Sequence, residues 1–165
     1  MLLEDFNAAG RTEAVTALRP CLDIGRWIEE IVDSRPFGST GSLLDAARRA
    51  AEPFTDAEVE TALAHHPRIG ERPAGNSTEA RLSRSEQATL GAPDPAVAAA
   101  ISEGNRNYEQ KFGQVFLIRA AGRSREEILA AINTRLAHTP EDELEVIGQQ
   151  LREIAVLRLE GLISA

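Results

Sequence analysis

Residues 62–91 read ALAHHPRIGERPAGNSTEARLSRSEQATLG, and the rest of the chain is organised around this stretch. It joins two helical patterns through a loop rich in Gly, Pro and Arg. Pro67 ends the first helix, because the residue before a proline is disfavoured in the helical region. Gly91 ends the second helix. The stretch therefore predicts helix, loop and helix, with a concentration of titratable side chains at the loop.

Start and stop signals of helices recur along the whole chain. Thr55 with Glu58 and Ser124 with Glu127 have the spacing of capping boxes, and Asp94-Pro95 pairs an N-cap with a proline at the first helical position. The eight predicted helices cover residues 12–18, 21–34, 43–51, 55–66, 83–90, 94–112, 124–136 and 139–162. Residues 114–122 resemble a strand without a partner, which predicts an extended buried segment. We expect one all-α domain over residues 1–165, a single-domain bundle of about eight helices.

Length and composition exclude several classes of protein. A chain of 165 residues can bury a core of its own, and the single Cys21 allows no internal disulfide. A net charge of −8 argues against nucleic acid as a partner. The acidic N-terminal stretch MLLEDFNAAG does not resemble a secretory signal, and no apolar run reaches the length of a membrane span. A cytoplasmic protein is expected.

Arg158 breaks the pattern of the last helix. The apolar stripe that passes through this position consists of Leu144, Ile147, Leu151, Ile154 and Leu162. On the pattern alone, the better interpretation is that the guanidinium reaches solvent or pairs with a neighbouring carboxylate. The functional alternative is that it holds an anion at the wall of a pocket.

Asn105 is a second exception, on the apolar stripe of the helix over residues 94–112. With Gly104 it indicates either close helix packing around a hydrogen-bonded amide, or space left for another group. Ser83 and Glu86 have the spacing of a capping box as well, and most such patterns are only that. The functional alternative is that the helix start and Gln87 favour an anion in the loop.

His66 has a backbone restrained by the following proline, which makes it a good mount for a general acid or base. A single loop histidine is usually polar surface. A metal site built from His65, His66 and His138 has weak support, because two of these residues are adjacent and the third has no ligand spacing to them. Phosphate-loop, dinucleotide and nucleophile-elbow motifs are absent from the sequence.

The ordered set of motifs resembles the OHCU decarboxylase family, the 2-oxo-4-hydroxy-4-carboxy-5-ureidoimidazoline decarboxylases of urate degradation. The matching motifs are RPF after the Trp27 helix, HPRIGE at 66–71, Ser-x-x-Glu-Gln at 83–87, NxxYxxKFG at 105–113, FLIRAAGRS at 116–124 and EIxxxRLxxL at 153–162. The resemblance covers residues 27–162. It is the order and spacing of the set that is specific.

The resemblance implies an all-helical homodimer that needs no metal or organic cofactor and converts OHCU to (S)-allantoin. Carried over by position, His66 and Glu86 match catalytic residues of the family. The substrate-binding residues implied are Pro67, Ser83, Glu86, Gln87 and Arg158, with the backbone of residues 116–119 lining the site. The proton-carrying role stays open between His66 and Glu86. The competing hypotheses are a helical interaction module without catalysis and a metal-dependent hydrolase.

Overall fold

The computed structural model describes residues 1–163, which form nine α-helices and no strand. The helices are α1 (Leu3–Ala8), α2 (Arg11–Leu18), α3 (Gly25–Asp33), α4 (Thr40–Arg49), α5 (Asp56–Leu63), α6 (Thr78–Ala88), α7 (Pro95–Phe112), α8 (Arg125–Arg135) and α9 (Pro140–Leu162). The all-α prediction is confirmed. The additional helix is α1, and the last two residues of the predicted domain lie outside the described residues.

Most predicted caps form. The Thr55 hydroxyl accepts from the Glu58 amide at 3.2 Å while the Glu58 carboxylate accepts from the Thr55 amide at 2.8 Å. The same reciprocal pair starts α8 at Ser124. Helix α7 ends at Gly113, whose φ of 72° lies in the left-handed region that favours glycine. These signals are local, so the sequence alone was sufficient to predict them.

The start of α6 was predicted wrongly. Ser77, not Ser83, is the N-cap, and its hydroxyl accepts from the Ala80 amide at 3.1 Å. Ser83 therefore lies inside the helix, and the predicted capping box with Glu86 does not form. Both side chains are instead bound by Arg158, which is more than 70 residues away along the chain. Helix α3 also starts later than predicted, at Gly25.

Two hydrophobic clusters make up the core. The larger one joins α1 to α5 with α9 and includes Trp27, Leu43 and Leu151. The smaller one joins α7 and α8 and includes Tyr108 and Ile132. Within residues 1–163, no helix is both long enough and apolar enough to cross a membrane.

Residues 114–120 form an extended segment, as predicted for residues 114–122, whereas residues 121 and 122 form a turn. The segment lies between the two clusters. Leu117 packs in the larger cluster, and Phe116 and Ile118 pack in the smaller one. Side chains bind its backbone in place of a neighbouring strand: Arg135 Nη1 donates to the Leu117 carbonyl at 2.6 Å. The Arg119 amide donates to Gln150 Oε1 at 2.9 Å. The segment is thereby held as a rigid wall without a sheet.

Gly104 lets α7 approach α8 closely. A Cβ atom built at this position would lie 2.7 Å from Ile132 Cγ2, closer than packed carbon atoms approach. The neighbouring Asn105 donates from Nδ2 to the Ile69 carbonyl at 2.9 Å. Close packing around a hydrogen-bonded amide, the first interpretation of this pair, is therefore observed, and Asn105 also borders a cavity of about 430 Å³.

We expect Gly104→Ala to lower the free energy of unfolding by about 1–3 kcal/mol, because the added methyl group overpacks a filled site. Gly148→Ala is the matched control, since its Cβ would meet only ordinary contacts, 3.8 Å from Phe54. That control should be stabilised by roughly 0.5–1 kcal/mol through helix propensity. Urea unfolding of both variants measures the difference, and equal stability would contradict the close contact.

Candidate active site

One cleft brings together five of the residues singled out in the sequence. It lies between the loop after α5, helix α6, the extended segment and α9. The lining residues are His66, Pro67, Ile69, Ser83, Glu86, Gln87, Phe116, Leu117, Ile118, Ala120 and Ile154. The sixth predicted residue, Arg158, reaches the cleft through hydrogen bonds to Ser83 and Glu86. All predicted site residues are therefore in one place.

Arg158 and Glu86 form a bidentate ion pair between α9 and α6. Arg158 Nε donates to Glu86 Oε1 at 2.7 Å, and Nη2 donates to Oε2 at 3.0 Å. Nη2 also donates to Ser83 Oγ at 3.1 Å, and Nη1 donates to the Pro20 carbonyl at 3.2 Å. The planar fork of arginine matches a carboxylate in this way, and a lysine could not replace it.

The burial of Arg158 and Glu86 determines how this ion pair can interact with a ligand. The side chain of Arg158 is only 4% exposed and that of Glu86 is 26% exposed, so the guanidinium does not reach solvent. The two charges compensate each other, and a ligand meets a paired unit rather than a free cation. One Nη1 hydrogen and the Ser83 hydroxyl hydrogen have no acceptor among the described residues. The unit can thus offer donors from Arg158 and Ser83 and acceptors from Glu86.

His66 follows α5, and its ring makes no hydrogen bond to a described residue. Burial, together with the positive charge of Arg158 and the neighbouring His65, lowers the pKa of His66 to about 4. The imidazole is consequently neutral at neutral pH. A neutral, unpartnered imidazole can accept a proton from a ligand or donate its N–H to one.

Gln87 is fixed by the loop it faces. Its Oε1 accepts from the Gly70 amide at 3.0 Å, which directs the amide group and leaves its NH₂ without a partner among residues 1–163. The side chain therefore presents a donor to the cleft. Pro67 contributes the restrained turn that places His66 and Ile69 on the same lining.

Sequence reasoning missed the residues on the far side of Arg158. Pro20 and Cys21 line two neighbouring cavities of about 500 and 290 Å³, and Arg158 borders both. The space inside the cleft itself is smaller, about 30 Å³. Burial raises the pKa of the Cys21 thiol to about 12, which makes it a poor nucleophile. No local pattern marks a backbone carbonyl such as that of Pro20 as a partner of a distant arginine.

The third histidine is occupied elsewhere. His138 Nδ1 lies 3.0 Å from Oε2 of the fully buried Glu143, whose Oε1 accepts from the Tyr108 hydroxyl at 2.6 Å. Arg135 completes this cluster by pairing with Glu143. In the part of the chain that the structure describes, no group of three or more His, Cys, Asp or Glu side chains is placed to hold a metal ion.

Fold and cleft together describe an all-helical protein with a candidate site for a small polar ligand. A family model described as OHCU decarboxylase matches residues 7–160. The chain belongs to the OHCU decarboxylase family, as the sequence motifs predicted. The decarboxylases of this family are carboxy-lyases, so the predicted class of enzyme is confirmed with it.

Relatives and solved structures agree with this assignment. A 2-oxo-4-hydroxy-4-carboxy-5-ureidoimidazoline decarboxylase of Haloferax volcanii is 26% identical over 166 residues, covering 100% of this chain and 98% of the relative. The uric acid degradation bifunctional protein TTL of Arabidopsis thaliana is 40% identical over 106 residues. That match covers 62% of this chain and only 33% of the plant protein.

A crystal structure of OHCU decarboxylase in the presence of (S)-allantoin superposes with a TM-score of 0.71 at 25% identity. It covers 87% of this chain and 94% of that one. A structure of (S)-allantoin synthase has a TM-score of 0.72 at 19% identity and covers 99% of this chain and 54% of the other. The second likeness shows the fold alone.

The low pKa of His66 predicts a dependence of stability on pH. The unfolded chain has the ordinary histidine pKa of 6.5 and the folded chain a pKa of about 4, so the unfolded state binds more protons between these values. The free energy of unfolding should therefore fall as the pH drops from 6.5 to 4, by about 2 kcal/mol from this residue. His66→Gln should remove that part of the slope in urea unfolding. The exposed neighbour serves as control: His65→Gln should keep most of the slope, because burial is the largest cause of the low pKa of His66.

Proposed function

We propose that this chain decarboxylates OHCU to (S)-allantoin at the cleft between α6, α9 and the extended segment. The substrate extends from this small cleft into the adjoining cavity of about 290 Å³, which His66 and Arg158 also line. The observation that carries the proposal is the Arg158–Glu86–Ser83 unit lying on the same cleft as the unpartnered ring of His66. Family membership supplies the reaction, and the arrangement of these side chains fits a substrate with one carboxylate, a hydroxyl and a ureido group.

The ion pair of Arg158 with Glu86 offers the substrate both hydrogen-bond donors and hydrogen-bond acceptors. Glu86 and Ser83 bind the hydroxyl and the N–H groups of the ureido substituent. The remaining Arg158 hydrogen and the Gln87 NH₂ group bind the oxygens of the heterocycle. Because these donors are already oriented by protein partners, little further ordering is needed on binding.

Proton transfer belongs to His66 rather than Glu86 in this proposal. Both Glu86 oxygens already accept hydrogen bonds from Arg158, while the His66 ring has no bond to give up. The ring is neutral at the start, as a base must be. A substrate carboxylate beside it would raise the pKa of His66 from its low value toward the working pH.

The reaction is balanced without a cofactor. The bond between the ring carbon and the carboxylate breaks, carbon dioxide leaves, and the electron pair moves into the adjacent imine, whose nitrogen takes up one proton from solvent. The hydroxyl then gives its proton to His66 and becomes a carbonyl, and His66 delivers a proton to the neighbouring ring carbon. Delivery from one face sets the S configuration.

A homodimer in the cytoplasm is part of the same proposal. Its support is the family resemblance together with the exposed Leu157, which lines the apolar cavity of about 500 Å³ beside Arg158. Light scattering on the purified protein should give twice the mass of the chain.

The first prediction on activity concerns the two adjacent histidines. His66→Ala should lose nearly all turnover because it removes the proton carrier, whereas His65→Ala should keep it. The assay generates OHCU in place from urate with urate oxidase and hydroxyisourate hydrolase and follows circular dichroism of (S)-allantoin, with and without EDTA. If (S)-allantoin forms no faster with the wild-type protein than by spontaneous decay of OHCU, the hypothesis of a helical interaction module replaces that of a decarboxylase. Inhibition by EDTA would favour the metal-dependent hydrolase.

The second prediction separates binding from proton transfer. Glu86→Gln keeps the shape and one acceptor but removes the charge that compensates Arg158. We expect KM to rise at least about tenfold while turnover at saturation remains measurable, because the lost interaction serves binding. Thermal unfolding establishes that the variant folds. A folded Glu86→Gln variant as inactive as His66→Ala would contradict the division of roles.

A further inference from the structure

Asn105 is a buried amide outside the set of residues that line the cleft. The residue is 6% exposed, and its Nδ2 donates to the Ile69 carbonyl at 2.9 Å. Its Oδ1 is buried and has no hydrogen-bond partner among the described residues. An amide that is half satisfied is unfavourable in a core, since its oxygen has given up water without replacement. Packing alone therefore does not explain an asparagine at position 105.

The side-chain amide of Asn105 holds the loop that carries His66. Ile69 lines the cleft three residues after His66. At the next residue, the Gly70 amide donates to Gln87 Oε1 on α6. Two side-chain amides from two helices therefore clamp consecutive backbone groups of the loop.

Helix α7 also contacts the loop through an ion pair. Arg68 pairs with Glu109 through both Nε and Nη2, and Nη2 donates to Oε2 at 2.9 Å, one helical turn beyond Asn105. The side chain of Arg68 is 48% exposed and that of Glu109 is 23% exposed. Asn105 adds a buried hydrogen bond to the same stretch of the loop, at the carbonyl next to the backbone amide that Gln87 binds.

We propose that Asn105 is a positioning residue that holds the loop of residues 66–70 in the conformation in which His66 meets the substrate. The inference rests on the proposed function, because it assigns Asn105 to the same reaction. Asn105 acts through the Ile69 carbonyl and does not touch substrate. Gly104 packs closely on Ile132 of α8, which fixes this part of α7. Asn105 therefore holds the loop against a fixed helix.

Asn105→Leu separates this role from packing. Leucine has a similar size, so it removes the orphan oxygen and the bond to Ile69 together. These two changes oppose each other in stability, and the melting temperature should stay within about 5 °C of the wild type. Turnover should nevertheless fall about tenfold or more, because a displaced proton carrier slows the chemical step. KM should change less than kcat, since the ion pair of Arg158 with Glu86 is untouched.

The loop itself provides a readout that does not depend on activity. Hydrogen exchange of the Gly70 amide, which is protected by Gln87, should become faster in Asn105→Leu. Ile132→Val is the matched control, because it removes one methyl group from the same core but keeps the Cβ and Cγ2 atoms on which Gly104 packs, and it leaves the Asn105–Ile69 bond in place. It should keep wild-type turnover and wild-type exchange at Gly70.

Each outcome bears on one proposal. Lower kcat with faster exchange at Gly70 supports the positioning role, whereas wild-type kcat in folded Asn105→Leu overturns it. If Asn105→Leu does not fold, Asn105→Ala is measured in the same way. If the wild-type protein shows no turnover, the proposed function fails. In that case hydrogen exchange at Gly70 still tests whether Asn105 holds the loop. Faster exchange in Asn105→Leu supports this role, and unchanged exchange overturns it.

Discussion

The bidentate pair of Arg158 with Glu86 is the interaction on which the site depends. It joins the longest helix, α9, to α6 and binds Ser83 and the Pro20 carbonyl with the same guanidinium. Removing Glu86 would leave the buried guanidinium of Arg158 uncompensated, which is more unfavourable than losing a surface pair. Burial keeps the imidazole of His66 neutral by lowering its pKa, and the positive charge of Arg158 adds to this effect.

A second buried ionic cluster supports the opposite wall. Tyr108 and Arg135 donate hydrogen bonds to the carboxylate of Glu143, and His138 lies within hydrogen-bonding distance of it. Arg135 also donates to the Leu117 carbonyl. Tyr108 and Phe116 meet edge to face at 5.2 Å beside it. The start of α9 thus fixes the extended segment, while the end of α9 fixes α6. One helix therefore aligns both sides of the cleft.

Prediction from sequence succeeded where the determining contacts are local. Thr55, Asp94 and Ser124 cap their helices through residues two or three positions away, so pattern and structure agree. It failed at Ser83, where a hydroxyl with the spacing of a cap is bound by a distant arginine. Arg158 and Asn105 were detected as exceptions to an apolar stripe, but their partners depend on how the helices pack. The six-residue α1 has no side-chain cap and left no signal.

The extended segment is held in place through its main chain. Its carbonyl at Leu117 and its amide at Arg119 are held by Arg135 and Gln150, so the wall of the cleft is set by the main chain. Main-chain groups are identical for nearly every amino acid, and only a proline would delete an amide. The hydrogen bonds that hold this wall therefore do not depend on which side chains it carries, whereas the buried side chains of Phe116, Leu117 and Ile118 must still fill the two hydrophobic clusters.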